Sequence, residues 1–380
     1  MKLLNPFKFG EAVSGKYFSD REDELRMLSI DLLSGQNIIL YSPRRYGKTS
    51  LVLETLNRLK KEGCLCIYVD LFAIPTKRKF AQKLSSAIAS GTSKKIEEVI
   101  KILKEYLPSI IPKITIKGKE APEFEIEFGD REKDIDDVLE KLYDTPNLIA
   151  KKRKKRVVVV FDEFQEIRNL DGENIEKALR TKIQYHQNVA YLFMGSKRHL
   201  MDRIFNTKSS AFYKTGKFIY LKKIPDGKFA QFIKKRFKDT TLKIEDKEIQ
   251  KILKITQCHP YYTQMLCHEI WNESLEKKLV RDEEIENALK FILLNQSYTF
   301  TIIWDGLSAK QRNLLIALAN EEETMLHSQN MIFKYELGSP ATVNKSIKIL
   351  EKKEIIEKED KKYAFSDLFF KEWIKEIISK

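Results

Sequence analysis

Cysteine is scarce: Cys64, Cys66, Cys258 and Cys267 are the only four in 380 residues, a usage that fits a reducing interior. They include no C-x-x-C pair, which speaks against a zinc site. Cys64 and Cys66 fall in an apolar run over 64–69 and read as small core residues of a strand. Cys258-His259 and Cys267-His268 carry metal-binding residue types. On one helix, however, their spacing is about two and a half turns, which sets the two pairs on opposite faces. Also missing is any stretch of about 18 uncharged apolar residues, so no transmembrane helix and no membrane partner are expected. The opening Met1-Lys2-Leu3-Leu4-Asn5-Pro6 has neither a long apolar segment nor a cleavage site, and the expected location is cytoplasmic. Acid is the minority charge, 55 residues against 69 basic ones, for a net charge of +14. That excess has two readings. One is contact with polyanions such as nucleic acid; the other is a Lys-rich surface produced by thermophily or biased composition.

What is present describes a globular chain. An apolar content of 42% and a mixed charge content of 33% support real cores, and the length predicts two or three domains. The densest signal is Ser42-Pro43-Arg44-Arg45-Tyr46-Gly47-Lys48-Thr49. Residues 37–41 before it read as a short buried strand. Residues 50–61 after it read as a helix, with Leu51, Leu53, Leu56 and Leu59 near one stripe. Strand, tight loop, Gly-Lys-Thr and helix together make a phosphate cradle. Backbone N–H groups at the helix start point at phosphate oxygens, and the helix dipole favours the negative charge. Lys48 supplies a mobile cation for β- and γ-phosphates, and the Thr49 hydroxyl is a hard ligand for Mg²⁺. Ser42 stands where glycine is usual.

The second signal is Val157-Val158-Val159-Val160-Phe161-Asp162-Glu163. Five apolar residues make a buried parallel strand, and the acids follow at the carboxyl edge, where open α/β sheets bind ligands. One carboxylate there holds Mg²⁺ through water and its neighbour polarises an attacking water. Residues 190–194 form a further strand that delivers Ser196 to the same edge, and 218–221 give a fifth. Residues 21–33 read as a helix with Asp20 as N-cap, and 64–69 as a strand. Between 75 and 145 lies an insertion, with helices over 77–89, 94–107 and 134–143 and a hairpin from 114–116 and 124–128. The basic run 151–156 reads either as a solvated strand flank or as a nucleic-acid contact.

Residues 226–288 read as all helix. His259 precedes Pro260, which suits a first helical position, so its imidazole sits at a helix start. From about 301 the pattern changes. A helix opens near Ser308, another runs from Pro340 to Lys352 with Ser339 as cap, and residues 354–365 alternate as a two-stranded wing. That order is a winged helix-turn-helix. Thr342, Asn344, Lys345 and Lys348 on its third helix suit phosphate and base edges, and protein contact is the other use of such a face.

These features resemble the archaeal-type ATPase family, a branch of the AAA+/STAND P-loop NTPases, over nearly the whole chain. The resemblance rests on Asn5-Pro6-Phe7, Phe18, Arg21-Glu22 and Glu24, on Pro43-Arg44-Arg45, on Asp162-Glu163-Phe164-Gln165, on Gly195-Ser196, on His259-Pro260-Tyr261-Tyr262 and on the C-terminal winged helix. It implies an α/β P-loop sheet over 1–224, a helical lid over 225–294 and a winged helix-turn-helix domain over 295–380. It further implies that ATP or ADP lies against Ser42, Pro43, Arg44, Arg45, Tyr46, Gly47, Lys48, Thr49 and Ser50, with Mg²⁺ at Thr49 and Asp162. Glu163 would activate water, Ser196 would sense the γ-phosphate, and His259 would approach it from the lid. Lys197 and Arg198 are candidates for a finger reaching another protomer. The implied function is an Mg²⁺-dependent ATP switch coupled to the winged helix, with slow or partner-stimulated hydrolysis. The alternative is a DNA-binding regulator or a protein-interaction scaffold whose nucleotide site is mainly structural. Duplex DNA, a protein partner and oligomerisation are the expected interactions.

Overall fold

The computed structural model describes residues 4–18, 21–93, 98, 101, 104–105, 113–117, 123–127, 135–321, 326–359 and 362–378. The expected N-cap Asp20, most of the helix expected over 94–107 and the wing tip at Asp360 and Lys361 lie outside the described residues. The chain divides into two units. One is Ala12–Lys223; the other takes Ile224–Lys380 together with the N-terminal residues up to Glu11.

The first unit is built on five parallel strands. In chain order they are β1 (Ile38–Tyr41), β2 (Leu65–Asp70), β5 (Val157–Asp162), β6 (Val189–Gly195) and β7 (Lys217–Tyr220). Their order across the sheet is β2-β5-β6-β1-β7. The central strands β5 and β6 are buried along their whole length, because helices cover both faces. Alternation still sorts the side chains. Val158, Val160, Ala190, Leu192 and Met194 pack with α1 (Glu22–Leu33) and α2 (Lys48–Lys61). Val157, Val159, Phe161, Tyr191 and Phe193 pack on the opposite face with α3 (Lys77–Thr92), α4 (Ile135–Arg153), α5 (Arg168–Ile183) and α6 (Arg198–Phe205). Each fully buried Val or Phe contributes about 1.5–3 kcal/mol.

The insertion carries the expected hairpin, β3 (Lys113–Lys117) against β4 (Glu123–Glu127), antiparallel with Ile114 opposite Ile126. The end of the helix expected over 134–143 is a correction to the sequence reading. Helix α4 does not stop near Tyr143; it continues through Pro146, and Lys151, Lys152 and Arg153 are its last turn. Cations there complement the carbonyl end of the helix dipole.

In the second unit, α7 (Asp226–Asp239), α8 (Asp246–Thr256), α9 (Pro260–Glu273) and α10 (Asp282–Asp305) precede the winged helix. That element comprises α11 (Ala309–Asn320), α12 (Gln329–Lys334), α13 (Pro340–Lys352), the wing β8 (Ile356–Glu359) with β9 (Lys362–Phe365), and α14 (Leu368–Ile378). Ser308 and Gln311 form a capping box on α11, and the Ser339 hydroxyl accepts from the Thr342 N–H at 3.3 Å. One core cluster runs from Phe229 and Phe237 through Leu266 and Phe300 to Leu350 and Phe370. Asn5-Pro6-Phe7 is part of this unit. Phe7 is buried against Phe232 and Phe237, and its carbonyl meets the His268 ring at 2.8 Å.

Candidate functional site

Adjacent strands β1 and β6 set the site. The chain leaves β1 through α2 toward the β2 edge, and leaves β6 through α6 toward the β7 edge. Their carboxyl ends therefore diverge into a crevice, the place where open α/β sheets take ligands. The register brings Tyr41 level with Gly195, and the Ser42 N–H donates to the Gly195 carbonyl at 3.4 Å.

The loop from Ser42 to Gly47 turns through left-handed backbone at Arg45, φ 67°, and Gly47, φ 81°. A Cβ on Gly47 would meet nothing within 4 Å, so backbone conformation is what favours glycine there. Ser42 is not among the positive-φ residues. That explains why serine is accommodated at a position where glycine was expected: buried, it donates its hydroxyl to the Pro43 carbonyl at 3.2 Å. Lys48 is the first residue of α2 and Thr49 follows, half-buried. Ser50 is buried, and its hydroxyl accepts from the Val13 N–H at 3.0 Å, tying the N-terminal arm to α2. Arg44 and Arg45 are exposed, and Pro43 and Tyr46 are buried.

The acids at the end of β5 take different environments. Asp162 lies on the α2 face, in step with Val158 and Val160. Its Oδ1 accepts from the Glu163 N–H at 2.8 Å, and its Oδ2 accepts from the Tyr68 hydroxyl. Burial holds its carboxyl above the usual range, with Tyr68 and Lys48 pulling partly the other way. Glu163 sits in left-handed backbone, φ 49°, a cost of about 1–3 kcal/mol of the kind that clusters at functional sites. Phe164, fully buried against Phe193 and Phe212, pins this turn.

Glu163 Oε1 lies 3.6 Å from Lys48 Nζ. Its Oε2 accepts from the Ser196 hydroxyl at 2.8 Å, from the Ser196 N–H at 3.3 Å and from the Gln165 amide. Burial pushes this carboxyl up, but Lys48, Gln165 and Ser196 together outweigh it and hold it below the usual range. Lys48, Glu163 and Ser196, far apart in sequence, thus meet at one point. Gly195 makes room for this: a Cβ there would lie 2.4 Å from Gln165 Oε1 and 2.5 Å from Met201 Sδ.

Two residues that hold this site were not legible as such. Arg21, 2% exposed, donates from Nη2 to the Tyr46 carbonyl at 3.1 Å and the Lys222 carbonyl at 2.8 Å, and from Nη1 to Glu24 at 3.0 Å. It links the phosphate loop to the end of β7. Its place in the opening signature was the available signal. Tyr68 gave none beyond being an apolar-strand residue. Lys197 Nζ is 3.6 Å from Glu166, and Arg198 pairs with Asp202 at 3.5 Å.

His259 belongs to the second unit. Gln257 and Cys258, both left-handed, turn the chain after α8; His259 is the N-cap of α9 and Pro260 its first residue. Its ring packs on Tyr262 at 4.7 Å. On α13, Asn344, Lys345 and Lys348 are exposed, while the Thr342 hydroxyl meets that of Ser339 at 3.1 Å. Among the described residues no cluster of three or more His, Cys, Asp or Glu forms a metal cage, and no helix is long and apolar enough to cross a membrane.

Comparison with known proteins places the fold. The Walker-type ATPase paby2304 of Pyrococcus abyssi aligns with a TM-score of 0.64 at 18% identity, covering 95% of this chain and 97% of that one. The Aeropyrum pernix ORC2 protein, solved as ADPNP–ADP complexes, aligns at 0.55 and 14% identity, over 98% and 100%. The Aeropyrum pernix ORC1 protein, solved in complex with DNA, aligns at 0.50 and 13%, over 94% and 93%. At these identities the likeness is one of fold. No curated protein matches the chain. A probable winged helix domain matches residues 298–376, and an ATPase domain predominantly from Archaea matches residues 18–266. The chain therefore belongs to the family of ATPase domains found predominantly in Archaea, and carries a winged helix domain after it.

Proposed function

We propose that the protein is an Mg²⁺-dependent ATP-binding and hydrolysing switch whose nucleotide state is passed to its winged helix. The observation that carries this is the meeting of Lys48, Glu163 and Ser196 at the carboxyl ends of β5 and β6, beside the loop of β1. In this reading the N–H groups at the start of α2 cradle phosphate oxygens, and Lys48 leaves Glu163 for the β- and γ-phosphates. The departure frees Glu163 Oε1 to accept a hydrogen bond from the attacking water, and the Ser196 hydroxyl turns from Glu163 to the γ-phosphate. Release of Glu163 before each turnover is a reason for slow or partner-stimulated hydrolysis.

The donor set fits Mg²⁺. Thr49 and Asp162 offer hard oxygens, and the lack of a protein cage among the described residues suits an ion completed by waters and phosphate oxygens. When bound, the ion neutralises developing phosphate charge.

Steady-state ATP turnover of the wild type and of Glu163→Gln tests the reading. Loss of a water-activating group predicts a drop of about 10²–10⁴-fold with nucleotide binding retained. Undetectable nucleotide binding by the wild type, or equal turnover in both proteins, defeats it.

A second reading is favoured by one observation: Asn344, Lys345 and Lys348 line an exposed face of α13, and the fold is shared with an ORC1 protein solved on DNA. Duplex binding by this face would weaken steeply with salt and on Lys345→Glu. Salt-independent binding, or binding indifferent to the substitution, removes it.

A further inference from the structure

We infer that Tyr68 is a positioning residue for the metal-side carboxylate of the site, holding Asp162 in the one orientation from which it can hydrogen-bond the waters of a phosphate-bound cation. The inference rests on the nucleotide reading above and extends it to a residue on a different strand.

The geometry follows from register. Strands β2 and β5 are parallel, with Tyr68 level with Val160 and Asp70 level with Asp162. Side chains two apart share a face, so Tyr68, Asp70, Val160 and Asp162 all rise on the α2 side of the sheet. Two residues of strand advance about 6.6 Å, roughly the reach of a tyrosine side chain. The Tyr68 hydroxyl therefore arrives at Asp162 rather than at the residue beside it, and donates to Oδ2. The other oxygen, Oδ1, is held by the Glu163 N–H at 2.8 Å.

Two donors, one to each oxygen, fix both torsions of a short side chain. Each carboxylate oxygen keeps a further lone pair. Asp162 is thus oriented without being used up. With both oxygens already accepting, it is suited to hold a hydrated cation through water rather than by direct ligation. Asp70 does not compete: its Oδ1 accepts from the Phe72 N–H at 2.8 Å and its Oδ2 lies 3.5 Å from Lys83. Mg²⁺ demands near-ideal octahedral geometry and keeps several waters, so a carboxylate free to swing would support it poorly.

The experiment measures the affinity of a fluorescent non-hydrolysable ATP analogue for wild type, Tyr68→Phe, Asp162→Asn and the double variant. Each is titrated once in MgCl₂ and once in EDTA. Tyr68→Phe keeps the ring and loses only the hydroxyl, and thermal unfolding of each variant checks that it is folded. The expected result is that Tyr68→Phe binds within about twofold of wild type in EDTA, while the gain in affinity on adding Mg²⁺ falls about five- to tenfold. In the Asp162→Asn background, Tyr68→Phe is expected to change nothing further, because a residue acting through Asp162 has nothing left to position. An unchanged Mg²⁺ gain, an equal loss with and without Mg²⁺, or additive effects of the two substitutions each overturn the inference. Absence of analogue binding by the wild type overturns the nucleotide reading along with it, and is thereby distinguished from failure of Tyr68 alone. Should Tyr68→Phe not fold, Tyr68→Leu takes its place with the same expected split.

Discussion

Lys48 and Glu163 are paired with each other, Nζ to Oε1 at 3.6 Å, although catalysis would use each on a different object. On the proposed reading the lysine would go to a phosphate and the glutamate to a water. Each partly neutralises the other, and the Ser196 and Gln165 donors complete the arrangement around Glu163. On that same reading, an incoming triphosphate would break this pair.

It follows that Glu163→Gln should release Lys48. Binding of a non-hydrolysable ATP analogue is expected to tighten about two- to fivefold, the worth of a half-screened ion pair of about 0.5–1 kcal/mol, even as turnover collapses. Isothermal titration of wild type and variant checks this; weaker binding by the variant contradicts it.

Arg21 predicts a loss that charge alone does not repair. Its guanidinium serves the Tyr46 and Lys222 carbonyls and Glu24 together, a fork that an ammonium does not reproduce. Arg21→Lys is expected to cost about 1–2 kcal/mol of stability and to weaken analogue binding about five- to tenfold. Urea unfolding and the same titration read both effects.

Gly195 tests the packing beneath the site. Gly195→Ala places a methyl group against Gln165 Oε1 and Met201 Sδ, and overpacking of this kind costs about 1–3 kcal/mol. Because Gln165 is displaced from Glu163, turnover should fall as well. Alanine tolerated with full stability and activity would show that Gln165 is not needed where it stands.

Acid sensitivity should come from a site remote from the phosphates. The His186 side chain is buried, with Nδ1 2.7 Å from the Tyr191 hydroxyl and Nε2 3.2 Å from Asp144. The neutral ring satisfies both by accepting from the tyrosine and donating to the carboxylate. Burial holds its pKa below the ordinary value despite Asp144. Its neutral form therefore contributes stability that is present above about pH 6.5. That stability is lost as the pH falls from there toward the lower folded value, since the unfolded chain takes up the proton first. Urea midpoints between pH 8 and 5 should decline for the wild type and stay flatter for His186→Gln, which keeps a donor and an acceptor but does not titrate.

Much of the fold was legible because its signals are contiguous. The apolar strands at 38–41 and 157–162, the loop ending in Gly47-Lys48-Thr49, the Ser339-Pro340 helix start and the alternating wing each declare themselves within a dozen residues. The end of α4 was misread, because Pro146 and the following cations look like a stop when read locally, yet the helix continues to Arg153. Tyr68 was invisible for a different reason: a tyrosine in an apolar strand carries no mark of what its hydroxyl reaches.

The sequence by itself determined which groups are available to a nucleotide, since strand, loop and helix periods are local and the chemistry of Lys48, Thr49, Asp162 and Glu163 is intrinsic to their side chains. Only the tertiary structure decided who meets whom. The pairing of Tyr68 with Asp162 spans 94 residues and that of Arg21 with the Lys222 carbonyl 201. Both depend on which strands lie side by side and in what register, and that is fixed by burial of the two sheet faces as a whole rather than by any one segment.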